Sequence, residues 1–255
     1  VTVIANCQVA LQQTNNSSDT AQVKELLAQS RDQLGEYPDG SVSAAQKALL
    51  LSEKINFKAG IAKSNIAAGN AFFAKRDYVS AVYYFEHALP PLKEATNESN
   101  EAQVYKLLGD CYSKRTFFRQ AIENYRIASV LLRKTGQLKL LNECQDALAN
   151  LSLEFGQSRN ALPLYFRSLN VKKELQDSKG ILITTSKISK AYLFLKQYDS
   201  ALYFNKEVQR LAAGDEEIFT DAMMDEIVIE CFLKDWEKAN VLSPTCKLLS
   251  NGKIT

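Results

Sequence analysis

Apolar residues recur at spacings of three and four along most of the chain, which predicts amphipathic helices rather than strands. A layout with a step of 40 residues places four alanines in register without any insertion: Ala81, Ala121, Ala161 and Ala201. The position twelve residues before each alanine holds a small residue: Gly69, Gly109, Ala149 and Ser189. The chain therefore contains an internal repeat, and its fold has to be worked out from the repeat unit.

Each repeat unit is predicted to be a pair of helices joined by a short turn. Gly109 and Tyr112 are three residues apart and share one helix face, and Ala81, Phe85 and Ala88 share another in the same way. Polar breaks such as AKRD and SKRT separate the two helices. Small residues let two helices approach closely, and the aromatic side chains fill the space beside that contact. Because one pair cannot bury its apolar faces alone, the antiparallel pairs are expected to stack into an all-α solenoid.

The sequence resembles tetratricopeptide repeats. The pattern is clearest in LLGDCYSKRTFFRQAIENYRIA (residues 107–128); it recurs over residues 67–89 and 187–208, and a weaker unit covers residues 147–168. The resemblance extends over roughly residues 20–250 and implies a right-handed superhelix. The step of 40 exceeds the commoner one of about 34 and is similar to the subclass found in kinesin light chains and in bacterial peptide-sensing regulators. The extra residues are predicted to lengthen the second helix of each pair and the junction after it.

The repeat register predicts a single solenoid domain with a degenerate unit at each end. A leader or signal remnant, expected to be poorly ordered with a turn over residues 14–20, precedes it. The predicted boundaries are 1–18 for the leader, 19–57 for the degenerate N-terminal helix pair, 58–97, 98–137, 138–177 and 178–217 for four repeats, and 218–255 for the degenerate C-terminal pair containing Trp236 and Ala239. Pro90, Pro91 and Pro163 fall inside second helices and are expected to kink or stop them.

Composition and charge exclude several classes of function. Lysine and arginine number 31 against 29 acidic residues, and the net charge of +2 leaves no electrostatic footprint for nucleic acid. The chain has a single histidine, His87, and five widely spaced cysteines without metal-ligand spacing, which argues against histidine-dependent catalysis and metal sites. No glycine-rich phosphate loop occurs. The chain is therefore predicted not to be an enzyme and to need no cofactor.

In the resembled family, the first helix of each pair lines the concave wall of the superhelix. Groove-facing residues there lie one position after the small residue and three positions before it. The resulting candidate ligand-binding residues are Asn70, Phe73, Lys106, Asp110, Lys114, Asp146, Asn150, Glu154, Ser186 and Lys190. Asparagine offers both a donor and an acceptor to a peptide backbone. The alternating charges favour either a mixed-charge ligand or salt bridges within the wall itself.

Most residues of the family's carboxylate clamp are absent from this sequence. Asn70 is kept, but Ile66 stands where the first lysine should be and Leu107 replaces the second asparagine. Glu143 and Ala147 replace the last lysine and arginine. Capture of a C-terminal carboxylate in that manner is therefore not expected.

The resemblance implies binding of a protein or an extended peptide. Two versions stay open: the sensory or interaction part of a larger bacterial signalling protein, and a stand-alone scaffold that assembles a multiprotein complex. No contact with nucleic acid or membrane is expected, and self-association is an open alternative. The apolar start, VTVIANCQVA, favours a periplasmic or exported location, with a cytoplasmic location as the alternative.

Overall fold

The computed structural model describes residues 2–212 and 215–233, with side chains from residue 18 onward. This part of the chain consists of helices joined by turns: α1 (Thr2–Gln33), α2 (Pro38–Lys54), α3 (Lys58–Ala74), α4 (Tyr78–Glu94), α5 (Glu98–Lys114), α6 (Phe118–Lys134), α7 (Leu138–Glu154), α8 (Ser158–Glu174), α9 (Ser178–Phe194), α10 (Tyr198–Leu211) and α11 (Glu216–Leu233). Two compact units, Val1–Cys144 and Gln145–Thr255, make up the chain. Consecutive helices from α1 to α6 pack together in the first unit, as do those from α8 to α11 in the second. The predicted all-α class of stacked helix pairs is confirmed.

Eight junctions between these helices share one turn, which recurs every 20 residues. Its middle residue has a positive φ, between 50° and 71°, at Asn56, Arg76, Thr96, Thr116, Gly136, Gly156, Gln176 and Lys196. In the α3–α4 turn, Arg76 N–H donates to the carbonyl of Phe73 and Asp77 N–H donates to the carbonyl of Phe72, both at 2.9 Å. This bond pair is the Schellman motif, which satisfies carbonyls at a helix end. The other seven junctions contain the same two bonds.

The helices of a pair are equal in length, so the prediction that assigned the extra residues to the second helix and its junction is wrong. From α2 to α9, first and second helices alike contain 17 residues. The step of 40 is therefore two halves of 20, and the residues beyond the commoner repeat length are shared between both helices. A helix of this length is about 25 Å long, and an equal partner can cover its apolar face from end to end.

Three segments in which a turn, a stop or a kink was predicted lie within continuous helices. Helix α1 runs through residues 14–20, where a turn was expected. The helix propensities of Asn, Ser and Asp lie within about 0.7 kcal/mol of alanine, so their polarity alone does not end a helix. Helix α4 likewise continues through Pro90 and Pro91, and α8 continues through Pro163. Pro90 and Pro163 are exposed, so the missing backbone bonds lie where water can satisfy the free carbonyls.

The repeat register forms the core of each unit. Ala81 and Ala121 in the first unit and Ala161 and Ala201 in the second are fully buried, as predicted from their spacing. The close approach expected at Gly69 is present, because an added methyl group there would lie 2.5 Å from Cε1 of Phe85. No helix in the described residues is long and apolar enough to cross a bilayer. Trp236 and Ala239 lie outside the described residues.

Candidate functional site

A groove of about 340 Å³ lies in the first unit between α1, α2 and α3. We call it the α1–α3 groove. It is lined by Lys24, Leu27, Ser30 and Arg31 of α1, Leu34 directly after α1, Ser41 of α2, and Lys63, Ile66, Ala67 and Asn70 of α3. Two of these side chains, Ser30 and Ser41, are buried and hydrogen-bonded to each other at 3.0 Å. This hydrogen bond connects α1 to α2. The other eight residues form the more accessible part of the lining.

The accessible lining combines aliphatic and cationic side chains. Leu27, Leu34 and Ile66 are half-buried and present apolar surface within the groove. The cations are the exposed side chains of Lys24, Arg31 and Lys63. None of the three makes an ion pair with a described residue. Among the described residues, no Asp or Glu lines the groove.

Asn70 is the one predicted ligand-binding residue in the described lining of this groove. The repeat places Asp110 at the equivalent position one step later, where it accepts a hydrogen bond of 2.8 Å from the hydroxyl of Tyr125. Phe85 occupies the place of Tyr125 in the Asn70 repeat and carries no hydroxyl. The side-chain amide of Asn70 consequently has no hydrogen-bond partner within the described part of the chain, and it is available to a ligand.

The charged residues further along the first unit are occupied by one another. The Lys106 ammonium lies 3.1 Å from Oδ2 of Asp110 and 3.0 Å from Oε2 of Glu143. Burial by itself would lower the pKa of Lys106, but the two carboxylates outweigh it and raise the pKa above the ordinary lysine value. Burial also raises the pKa of the Tyr125 phenol well above its usual range, and the Asp110 carboxylate adds to that effect. Of the two alternatives left open by the alternating charges, this cluster forms salt bridges within the wall.

The predicted polar residues of the second unit are held by similar contacts. The Lys172 ammonium contacts Oδ2 of Asp146 at 2.5 Å and the hydroxyl of Thr184 at 2.6 Å. Asn150 accepts a hydrogen bond of 2.7 Å from Tyr165, as Asp110 does from its own tyrosine.

A further contact in the second unit pairs Lys190 with Asp225 of α11. The Lys190 ammonium lies 3.8 Å from the Asp225 carboxylate. Burial raises the pKa of Asp225, an effect that Lys190 opposes and nearby Asp221 reinforces. Two of the four predicted polar residues in the first unit and three of the five in the second therefore make internal contacts.

The other predicted residues have less specific surroundings. The ring of Phe73 packs edge-on against Tyr78, with 5.3 Å between centroids. Lys114 and Glu154 are exposed, and Ser186 is half-buried. Whether any of the ten predicted residues binds a ligand stays a prediction.

Sequence reasoning missed the three cations of the groove, and the repeat register carries no signal for them. Ser30 lies 40 residues before Asn70, so the register could have been extended onto α1. That extension places Lys24 and Arg31 at the positions of Ser64 and Ala71, which are buried in α3. The contacts that Lys172 and Tyr125 make with first helices have no sequence signal either, because the spacing does not show which side chains reach across from second helices.

No protein-family model matches the sequence, and no curated protein matches it either. Solved structures do match. A STAND signal-transduction ATPase from Pyrococcus horikoshii with a tetratricopeptide repeat sensor has a TM-score of 0.76 at 17% identity, over 90% of this chain and 36% of its own. The apo form of RapI has a TM-score of 0.76 at 15% identity, over 100% of this chain and 75% of its own. NprR in complex with its cognate peptide NprX has a TM-score of 0.55 at 18% identity, over 88% of this chain and 66% of its own.

These likenesses show a shared fold. The chain has the fold of tetratricopeptide-like repeat proteins, as its resemblance to that family implied. It spans little more than a third of the length of the STAND protein and about two thirds of the length of NprR.

Proposed function

We propose that this chain is a non-catalytic binding module that holds an extended peptide or a protein segment in the α1–α3 groove. The observation that carries the proposal is the groove itself, in which aliphatic side chains lie beside polar groups that have no internal partner. Such a combination is typical of ligand sites, where apolar contact supplies affinity and a few polar groups fix orientation. By contrast, a ligand at Lys106 would have to displace carboxylates at 3.0 and 3.1 Å.

The similar structures give this proposal independent support. NprR is described with a cognate peptide, and the repeats of the STAND protein are described as a sensor. We extend the proposal accordingly: the chain acts as the sensory or interaction part of a larger bacterial signalling protein. A scaffold that assembles other proteins is the alternative, and it would bind folded domains rather than short peptides. The exported location stays a prediction from the apolar start of the sequence.

Selection from a displayed library of random peptides tests the proposal. The bait is this chain, and the comparison is Ala67→Phe, which narrows the groove from its half-buried lining position on α3. The matched control is Ala59→Phe, an identical change at an exposed position on the same helix outside the described lining of the groove. Thermal melting followed by circular dichroism verifies that each variant folds.

The expected result is a set of peptides that bind the unaltered chain and Ala59→Phe but not Ala67→Phe. A second variant, Asn70→Leu, preserves side-chain size while removing the amide, and it should weaken the same peptides. Peptides that bind all variants equally, or a library without enrichment, would refute binding in the groove. A parallel selection from a displayed library of folded protein domains that yields binders, where the peptide library yields none, would favour the scaffold.

A further inference from the structure

The cations of the α1–α3 groove cannot be neutralised from their own helices. Residues three and four positions away are within reach of a helical side chain. Around Lys24 these are Thr20, Ala21, Leu27 and Ala28; around Arg31 they are Leu27, Ala28, Leu34 and Gly35; around Lys63 they are Ala59, Gly60, Ile66 and Ala67. None is acidic, so a change of rotamer along α1 or α3 does not bring a carboxylate to these cations.

Three cations around one groove create a local positive potential despite a net charge of only +2. Like charges gathered without counter-charges repel one another, and an anionic group placed among them relieves that repulsion. We infer that the ligand of the α1–α3 groove is an acidic peptide segment with aliphatic side chains between its carboxylates. This inference rests on the proposed function and specifies its ligand.

The rest of the lining favours a peptide over other anions. Leu27, Leu34 and Ile66 offer aliphatic surface, which a free inorganic anion would leave uncovered. Single-stranded nucleic acid is bound largely by stacking bases on aromatic rings, and no aromatic residue belongs to the described lining. Asn70 adds an amide that can both donate to and accept from a peptide backbone. In such a complex the peptide's carboxylates would contact the three cations, and its aliphatic side chains would contact the two leucines and Ile66. Its backbone would hydrogen-bond to the side-chain amide of Asn70.

The peptides selected in the groove experiment provide the first test. Those that depend on the groove should carry net negative charge with Leu, Ile or Val between Asp and Glu. Groove-dependent peptides of neutral or positive charge would overturn this inference and leave the proposed function intact. Failure to obtain any groove-dependent peptide is the separate outcome that refutes the proposed function.

Charge reversal provides the second test. A fluorescein-labelled peptide of the selected class is titrated against the unaltered chain, Lys63→Glu and Lys47→Glu, with fluorescence anisotropy as the readout. Lys47 is the matched control because it is exposed in the middle of α2, has no ion pair with a described residue and is outside the described lining of the groove. Lys63→Glu should weaken the complex about tenfold, because an attraction becomes a repulsion, whereas Lys47→Glu should change it by less than about twofold.

A compensating change in the peptide separates charge recognition from a fold defect. A peptide in which one Asp is replaced by Lys should bind Lys63→Glu more tightly than it binds the unaltered chain. Equal weakening by Lys63→Glu and Lys47→Glu would overturn the inference. Displacement of the peptide by a short oligothymidylate at equal concentration would overturn it in favour of nucleic acid.

Discussion

The shared turn predicts opposite responses to the same substitution at two glycines. Gly136 has a φ of +71° and open space where a Cβ atom would be placed. Gly35 has the same open space without a positive φ. Alanine at either position adds a methyl group that touches nothing within 4 Å. The two changes therefore differ in backbone conformation, and Gly35→Ala is a matched control for Gly136→Ala.

The magnitudes follow from two opposing effects. Left-handed backbone costs an L-residue about 1–2 kcal/mol, and replacing glycine by alanine stabilises by about 0.4–1 kcal/mol through the lower entropy of the unfolded chain. Gly136→Ala should consequently lower the free energy of unfolding by about 1 kcal/mol. Gly35→Ala should raise it by about 0.5 kcal/mol, because only the second effect applies. Arg76→Gly, at an exposed turn residue with a φ of 61°, should stabilise by about 0.5–1 kcal/mol for the converse reason.

Urea unfolding followed by far-ultraviolet circular dichroism measures these changes, and amide hydrogen exchange locates them. Each unit of a stacked array contacts only its neighbours, so faster exchange in Gly136→Ala should be concentrated in α6 and the first turns of α7. If Gly136→Ala stabilised the chain as much as Gly35→Ala, the left-handed turn would be wrong at this junction. The reasoning for the other seven junctions would then fail with it.

Three further predictions concern the core and the polar contacts. Gly109→Ala should lower the free energy of unfolding in urea by about 1–3 kcal/mol, because the methyl group would lie 2.7 Å from Cδ1 of Tyr125; a change smaller than that of Gly136→Ala would contradict close helix packing. Lys106→Met should lower the free energy of unfolding at neutral pH, because the carboxylates that raise the pKa of Lys106 stabilise its protonated form. The difference in unfolding free energy from the unaltered chain should shrink as the pH rises beyond the ordinary lysine pKa of 10.5. A difference that does not depend on pH in urea titrations would contradict this linkage. Phe85→Tyr should bring a hydroxyl to Asn70 and weaken a groove-dependent peptide a few-fold in anisotropy titrations, while unchanged affinity would show that the amide is not used.

The core could be predicted from sequence because its constraint is local and repeated. Positions such as Gly109 and Ala121 must be small wherever two helices approach closely, and that requirement recurs in each unit. Spacing alone therefore identified the buried alanines, which are fully inaccessible in the structure. The aromatic positions followed from the same contact, because a large ring such as that of Tyr125 fills the space that the glycine leaves.

The equal halves of the repeat could not be predicted in the same way. First and second helices place different residue types against their neighbours. A step of 20 therefore gives only scattered matches, such as Ala48, Ala68 and Ala88, where a step of 40 aligns whole units. The turn itself carries little signature, because Gly136 and Gly156 are the only glycines among its eight left-handed residues. Residues such as Thr96 and Lys196 adopt that conformation because the packing of the flanking helices and the two Schellman bonds impose it.

The candidate site was only partly predictable, because periodicity gives a face and not a partner. The spacing predicted that Asn70 and Lys106 both lie on the groove-facing side of a first helix, but it did not predict which side chains surround each of them. Lys106 is held by Asp110 and Glu143, and this depends on how far side chains reach between α5 and α7. The charge-free neighbours of Lys63, by contrast, can be read directly from the sequence.

The distribution of paired and unpaired charge is the reason why we propose the ligand site at the α1–α3 groove of the first unit. A ligand that approaches Lys106 has to compete with two carboxylates already within 3.1 Å, and any carboxylate it releases must find water or another cation. A ligand that approaches Lys24 or Lys63 has to displace only water. Paired charges are therefore suited to fixing the register of neighbouring helices, while unpaired charges retain most of their interaction free energy for a partner. Because these cations have no ion pair with a described residue, an acidic partner is the interaction that most changes their free energy.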